Sequence, residues 1–146
     1  MSFRITGLSP VPFQRYFGLP DAELASLGIR RVVVDEAPGF PDRIEMREAA
    51  VGETVLLLNH TSPPADTPYR ASHAMFVRES ASRRYDAIDQ VSDVMRRRLL
   101  SLRAFDADAT MVDADTVEGS EMEGLIERLL ANPATCYIHA HNDPRS

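Results

Sequence analysis

The chain contains no lysine: all 16 of its basic residues are arginine. Schiff-base chemistry, a lysine-anchored pyridoxal cofactor and a P-loop phosphate site are excluded, because each needs an ammonium group. Cysteine is nearly as scarce. Cys136 stands alone, so there is no internal disulfide and no Cys-rich zinc or iron–sulfur site, which fits a reducing cytoplasm. No apolar run approaches the roughly 18 residues of a membrane span, and no basic-plus-apolar leader opens the chain. The expectation is a soluble cytoplasmic protein without membrane contact. The strings GxSxG, GxGxxG, HExxH and CxxC are also missing, which removes the common hydrolase, dinucleotide, zinc-protease and thiol-redox signatures.

What is present is one domain's worth of chain. The 146 residues can bury roughly 70% of the surface their unfolded form exposes, and the expected organisation is a single domain over 1–146. Charge is unevenly spread. Residues 1–69 carry 6 Arg against 9 acids, residues 70–103 carry 8 Arg against 4, and residues 106–146 carry 2 Arg against 9. The total of −6 argues against nucleic acid as a partner, since phosphate neutralisation needs a sustained positive surface. The basic middle is suited to a small acidic ligand or forms a solvated face.

Periodicity predicts an α+β fold. Phe3 and Ile5 alternate with polar neighbours as a first strand ended by Gly7. Pro12 opens a helical turn closed by Gly18, and Asp21 caps a short helix through Leu27. The β-branched run in 29–35 reads as a buried strand, Pro38-Gly39 as a turn, and 43–46 as a weak strand. Strands follow at 55–58 and 73–77, separated by a Pro-rich loop over 62–68. Ile88, Val91 and Met95 sit at helical spacing, predicting a helix over 86–98. A hairpin over 99–105 and 111–117 comes next; its acidic turn starts like a calcium loop but fails at Met111 and Val117. Ser120 and Glu123 form a capping-box pattern ahead of an apolar stripe, and 135–141 is a strand. The last three elements make a βαβ unit, so strands 111–117 and 135–141 should be parallel neighbours or near neighbours. The sheet is expected to be mixed and largely antiparallel, with helices mostly on one face.

The residues best equipped for chemistry are His139, His141 and Asn142. In a strand, residues two apart share a face, so Tyr137, His139 and His141 align, while Cys136, Ile138 and Ala140 turn into a helix-covered core. Paired imidazoles can hold an anion or share a divalent metal. Tyr69 and Arg70 follow Pro68 and offer hydroxyl and guanidinium groups, the latter suited to bidentate capture of carboxylate or phosphate.

Five strings in order, PGFPDR (38–43), GETVLLLN (52–59), TPYRAS (67–72), RRRLLSLRAFDAD (96–108) and YIHAHN (137–142), resemble a family of short bacterial proteins catalogued as a domain of unknown function. The resemblance runs from about Phe3 to Asn142. It implies a stand-alone bacterial protein and brings no activity, cofactor or catalytic residue. The family pattern has a Cys where this chain has Asp42, and a short Gly-Cys segment after the His-x-His-Asn string, which this chain is expected to lack.

Three readings follow. The first is a cofactor-free domain that binds a small acidic ligand through Tyr69, Arg70, His139, His141 and Asn142. The second is a metal-dependent enzyme in which His139 and His141 are joined by His60 or His73 and by Asp35 or Glu36. The third is an interaction protein, a homodimer formed through a sheet edge.

Overall fold

The computed structural model describes residues 2–62, 68 and 71–142. It divides into two compact units, one made of Arg4–Thr61 with Ser72–Gln90, the other containing the chain from Val91 onward. The α+β class and the largely antiparallel sheets are as expected. The Pro-rich loop, apart from its ends, lies outside the described residues.

The first unit is built on β1 (Arg4–Thr6), α1 (Val11–Gln14), α2 (Asp21–Ser26), β2 (Arg30–Val33), β3 (Pro41–Asp42), β4 (Arg47–Glu48), β5 (Thr54–Ser62), β6 (Ala71–Arg78) and β7 (Asp86–Ile88). Five of these strands form a sheet in the order β2-β5-β6-β3-β4, and β1 pairs separately with β7. Period-two alternation gives the five-stranded sheet two apolar faces. Leu56, Leu58 and Val77 pack with Phe13, Leu24, Ile29 and Ile44 under the short helices. Val55 turns the other way, to Val34, Ala49, Phe40 and Phe76.

Four expectations fail in this unit. The run at 29–35 is not a fully buried strand: β2 ends the strand order and pairs with β5 alone, leaving Val33 62% exposed. Residues 43–46 are not a strand but the turn between β3 and β4, with Met46 at φ 55°. Asp21 does not cap α2. It is the first helical residue, its carboxylate is taken by Arg31, and Pro20 holds the cap position. The helix expected over 86–98 is interrupted because β7 pairs with β1, and Asp89 then adopts φ 57°, a left-handed conformation incompatible with a continuing helix. Only its last turn survives.

That turn opens the second unit as α3 (Asp93–Arg96), followed by β8 (Leu99–Phe105), β9 (Met111–Glu118), a 3₁₀ turn (Gly119–Glu121), α4 (Met122–Ala131) and β10 (Tyr137–Asn142). The hairpin turn is tied by Asp106 Oδ1, which accepts from the backbone N–H of Asp108 and of Thr110. Strand order is β10-β8-β9, both pairings antiparallel, so β9 and β10 run parallel with β8 between them. They are the near neighbours of the expected strand–helix–strand unit. The apolar stripe Met122, Leu125, Ile126 and Leu129 is buried. Arg128 of α4 donates to Asp115, which stands opposite Leu102, so the helix covers the sheet face of Leu100, Leu102 and Ala104.

The expected capping box is absent. Ser120 lies inside the 3₁₀ turn and makes no side-chain cap, and Glu123 is drawn instead to Arg96. Gly119 explains the detour. Its N–H donates to Arg98 O at 2.7 Å, and a Cβ there would fall 1.7 Å from Met95 O. The chain has to pass α3 at a distance that only glycine allows.

Candidate functional site

The His-x-His string lies on β10, the outer strand of the three-stranded sheet, and its neighbours follow from register. Tyr137 stands opposite Phe105, His139 opposite Arg103, and His141 opposite Ser101. Directly opposed residues in an antiparallel pair share a face, with Cβ atoms roughly 5 Å apart. These six side chains therefore form a two-row strip on the face away from α4. Tyr137 and His139 lie two residues apart along β10, as do His139 and His141, as sequence parity requires.

The rings form a continuous ladder. Phe105 stacks on Tyr137 at 5.3 Å and 17°. His139 lies 5.2 Å from Phe105 and 5.1 Å from Tyr137, and His141 meets His139 edge-on at 6.0 Å. Phe105 is buried, whereas Tyr137, His139 and His141 are half-buried. Burial, with Asp106 adding to it, pushes the Tyr137 hydroxyl above its ordinary value and keeps it a neutral donor. Arg103 donates from Nε to Ser101 Oγ at 3.3 Å, which steers its guanidinium along the strip. Ala114 and Thr116 of β9 complete the face beyond Arg103 and Ser101. The strip thus combines a fixed cation, two imidazoles and two hydroxyls on an aromatic floor. Such a surface can hold an oxyanion in a charge-assisted way, with strength set by imidazole protonation.

Of the other expected site residues, Asn142 is described in the same unit as the strip. Tyr69 and Arg70 lie outside the described residues. Asn142 belongs to the opposite face, paired with Leu100, and its Oδ1 is buried without a hydrogen-bond partner among the described residues. His60 and His73 belong to the first unit, as do Asp35 and Glu36. His60 packs 5.8 Å from the Phe13 ring. Burial, with the His73 charge second, pushes its imidazole below the ordinary value. Among the described residues, no three His, Cys, Asp or Glu side chains converge as a metal site. Cys136 corrects another expectation: it is exposed, not buried. It stands one residue before β10, at the sheet edge, with its N–H donating to Phe105 O.

Two residues escaped the sequence reading. Arg103 was hidden because it becomes a neighbour of His139 only through the β8–β10 register; the combination of a 99–117 hairpin with a βαβ crossover was the available signal. In the sequence Asp42 stands out only as a departure from the family pattern. It is fully buried, and its carboxylate accepts from the N–H of Ile44 at 3.3 Å, Glu45 at 2.7 Å and Arg78 at 2.8 Å. Burial raises its titration point against those bonds. It holds the β3–β4 turn to β6, and an aspartate two and three residues ahead of turn N–H groups is the sequence sign of that role.

The family model described as a protein of unknown function (DUF1203) matches residues 39–145 of the chain. No curated protein and no solved structure matches it.

Proposed function

The chain belongs to this DUF1203 family of proteins of unknown function, and we propose that it binds a small acidic molecule on the β8–β10 strip. The observation that carries this reading is the register pair Arg103–His139, flanked by Ser101–His141. It sets an arginine that forms no ion pair among the described residues beside two titratable donors. A carboxylate or phosphate group would take the guanidinium fork on one side and imidazolium N–H on the other. The same reading sets the protein in the bacterial cytoplasm, where a lone exposed thiol such as Cys136 persists reduced.

Calorimetric titration with citrate at constant ionic strength, repeated across the neutral range, tests the proposal. Imidazole in model peptides loses its proton near pH 6.5. Binding through imidazolium therefore weakens as pH rises through that region, whereas a metal held by neutral imidazole would bind more tightly. Arg103→Ala should weaken citrate binding about tenfold, the usual worth of one charge-assisted contact. Binding that ignores both pH and Arg103→Ala would refute the reading.

A further inference from the structure

The first unit carries a concave surface of its own. It is an open groove of about 540 Å³ lined by Glu45, Arg47, Arg83, Arg84, Tyr85 and Asp86. That volume lies in the range of small-ligand sites. The charges around it do not cancel. The lining groups and their ion-pair partners comprise Arg4, Arg47, Arg78, Arg83 and Arg84 against Glu45, Glu53 and Asp86, an excess of two positive charges on a chain whose net charge is −6.

The distribution of hydrogen bonds shows where the excess sits. Each acid is committed. Glu45 accepts from Arg78 at 2.7 Å, from Arg47 at 3.2 Å and from the N–H groups of Ser82 and Arg83. Burial works against its ionised form, but these donors hold it down to about 2, so it is a carboxylate at any physiological pH. Asp86 is gripped by both Nε and Nη2 of Arg4. Arg47 is in turn consumed by Glu45 and Glu53. The two consecutive arginines are different. Arg84 is anchored by hydrogen bonds to uncharged acceptors, Gly7 O at 2.6 Å and Thr6 Oγ1 at 3.2 Å, which fix its guanidinium; the acid whose charge it feels is Asp86, already gripped by Arg4. Arg83 is exposed, and its side chain makes no hydrogen bond or ion pair among the described residues. One fork is therefore preset and the other is free to close.

We propose that this groove binds the phosphate group of a phosphomonoester, with Arg84 as the fixed donor and Arg83 as the closing one. A phosphomonoester carries close to two negative charges at neutral pH and three acceptor oxygens, matching the excess charge and the two guanidinium forks. The groove's open side leaves the esterified part of the ligand unconstrained, so the recognition is of the phosphate. This site stands independently of the β8–β10 strip, and its pH dependence is the reverse. Guanidinium stays charged throughout, whereas the phosphate gains its second charge near pH 6. Affinity at the groove should rise with pH where affinity at the strip falls.

The test is amide NMR of the intact chain titrated with glycerol phosphate at fixed ionic strength. The proposal expects the amides of Arg83, Arg84 and Tyr85 to shift together, more tightly at about pH 8 than at about pH 5, values that straddle the phosphate ionisation near pH 6. Arg83→Ala, which removes a side chain without structural bonds and leaves the fold intact, should weaken that titration about tenfold, and Arg83→Lys should restore part of it. Arg103→Ala should leave it unchanged. Amides of residues 83–85 that stay still would overturn the proposal. So would shifts there that are the same in Arg83→Ala. A titration confined to residues 101–103 and 137–141 would overturn it while leaving the strip reading in place.

Discussion

The two units use arginine in opposite ways. In the first, Arg31 clamps Glu79 through Nε at 2.9 Å and Nη2 at 2.8 Å, and also reaches Asp21 and Leu19 O. Arg47 and Arg78 interlock with Glu45 and Glu53. Of these, Arg31–Glu79 and Arg78–Glu45 are partly buried and join segments far apart in the chain. In the second unit, the ion pairs Arg96–Glu123 and Arg128–Asp115 tie helices to their surroundings at the surface. Arg103, half-buried on the central strand, bonds a serine hydroxyl and no carboxylate among the described residues. An arginine whose carboxylate is supplied by the fold is architecture; an arginine left with a neutral partner beside two histidines is, on the proposed reading, the one offered to a ligand. In the first unit Arg83 and Arg84 likewise stand outside the clamps.

The comparison breaks most easily at the buried acid of the first unit. Asp42→Ala would leave three backbone N–H groups unsatisfied in a site without solvent. A loss of about 3 kcal/mol is expected, read as a lower denaturation midpoint. Asp42→Asn keeps an acceptor for Ile44 and Arg78 and should recover part of the loss. Next in size is the acid limb. Glu79 is held at about 2 chiefly by the Arg31 fork, and Glu45 at about 2 despite its burial, against 4.5 for an ordinary glutamate. Both are depressed in the folded state. Their contribution is therefore complete above pH 4.5 and is lost as pH falls from there toward 2. The double variant Glu45→Gln/Glu79→Gln should be less stable at neutral pH and show a flatter stability profile across that window. An unchanged profile would mean that the clamps are ornamental. The smallest effect belongs to the second unit: Ser120→Ala, which removes no cap, should change stability by less than about 0.5 kcal/mol by chemical denaturation.

That last prediction also marks what the sequence could show. The 99–117 hairpin, the buried stripe of α4 and the final strand were legible because each is specified by neighbours: a turn at Asp106–Ala109, a 3.6-residue apolar period, and a stop at Asn132-Pro133. The co-facial Tyr137, His139 and His141 followed from parity alone. Legibility ended where structure depends on remote partners. Ser120 and Glu123 have the letters of a capping box, but Arg96 claims the glutamate and the close pass of Gly119 sets the backbone. The strands β3 and β4 have two residues each and exist because Asp42 ties their turn to Arg78 of β6. Ile88, Val91 and Met95 imitate a helix, yet β1 captures the first of them. The candidate site divides the same way. Its histidines are local; its arginine is an accident of register that no window of sequence displays.

The most direct test is the ring titration of His139 and His141 by NMR, with and without saturating citrate, in the native chain and in Arg103→Ala. An anion held by imidazolium must stabilise the protonated ring, so citrate should raise both titration midpoints in the native chain and raise them much less once Arg103 is gone. Midpoints that do not move with citrate, or that move equally without Arg103, would contradict the assignment of this strip as the ligand site.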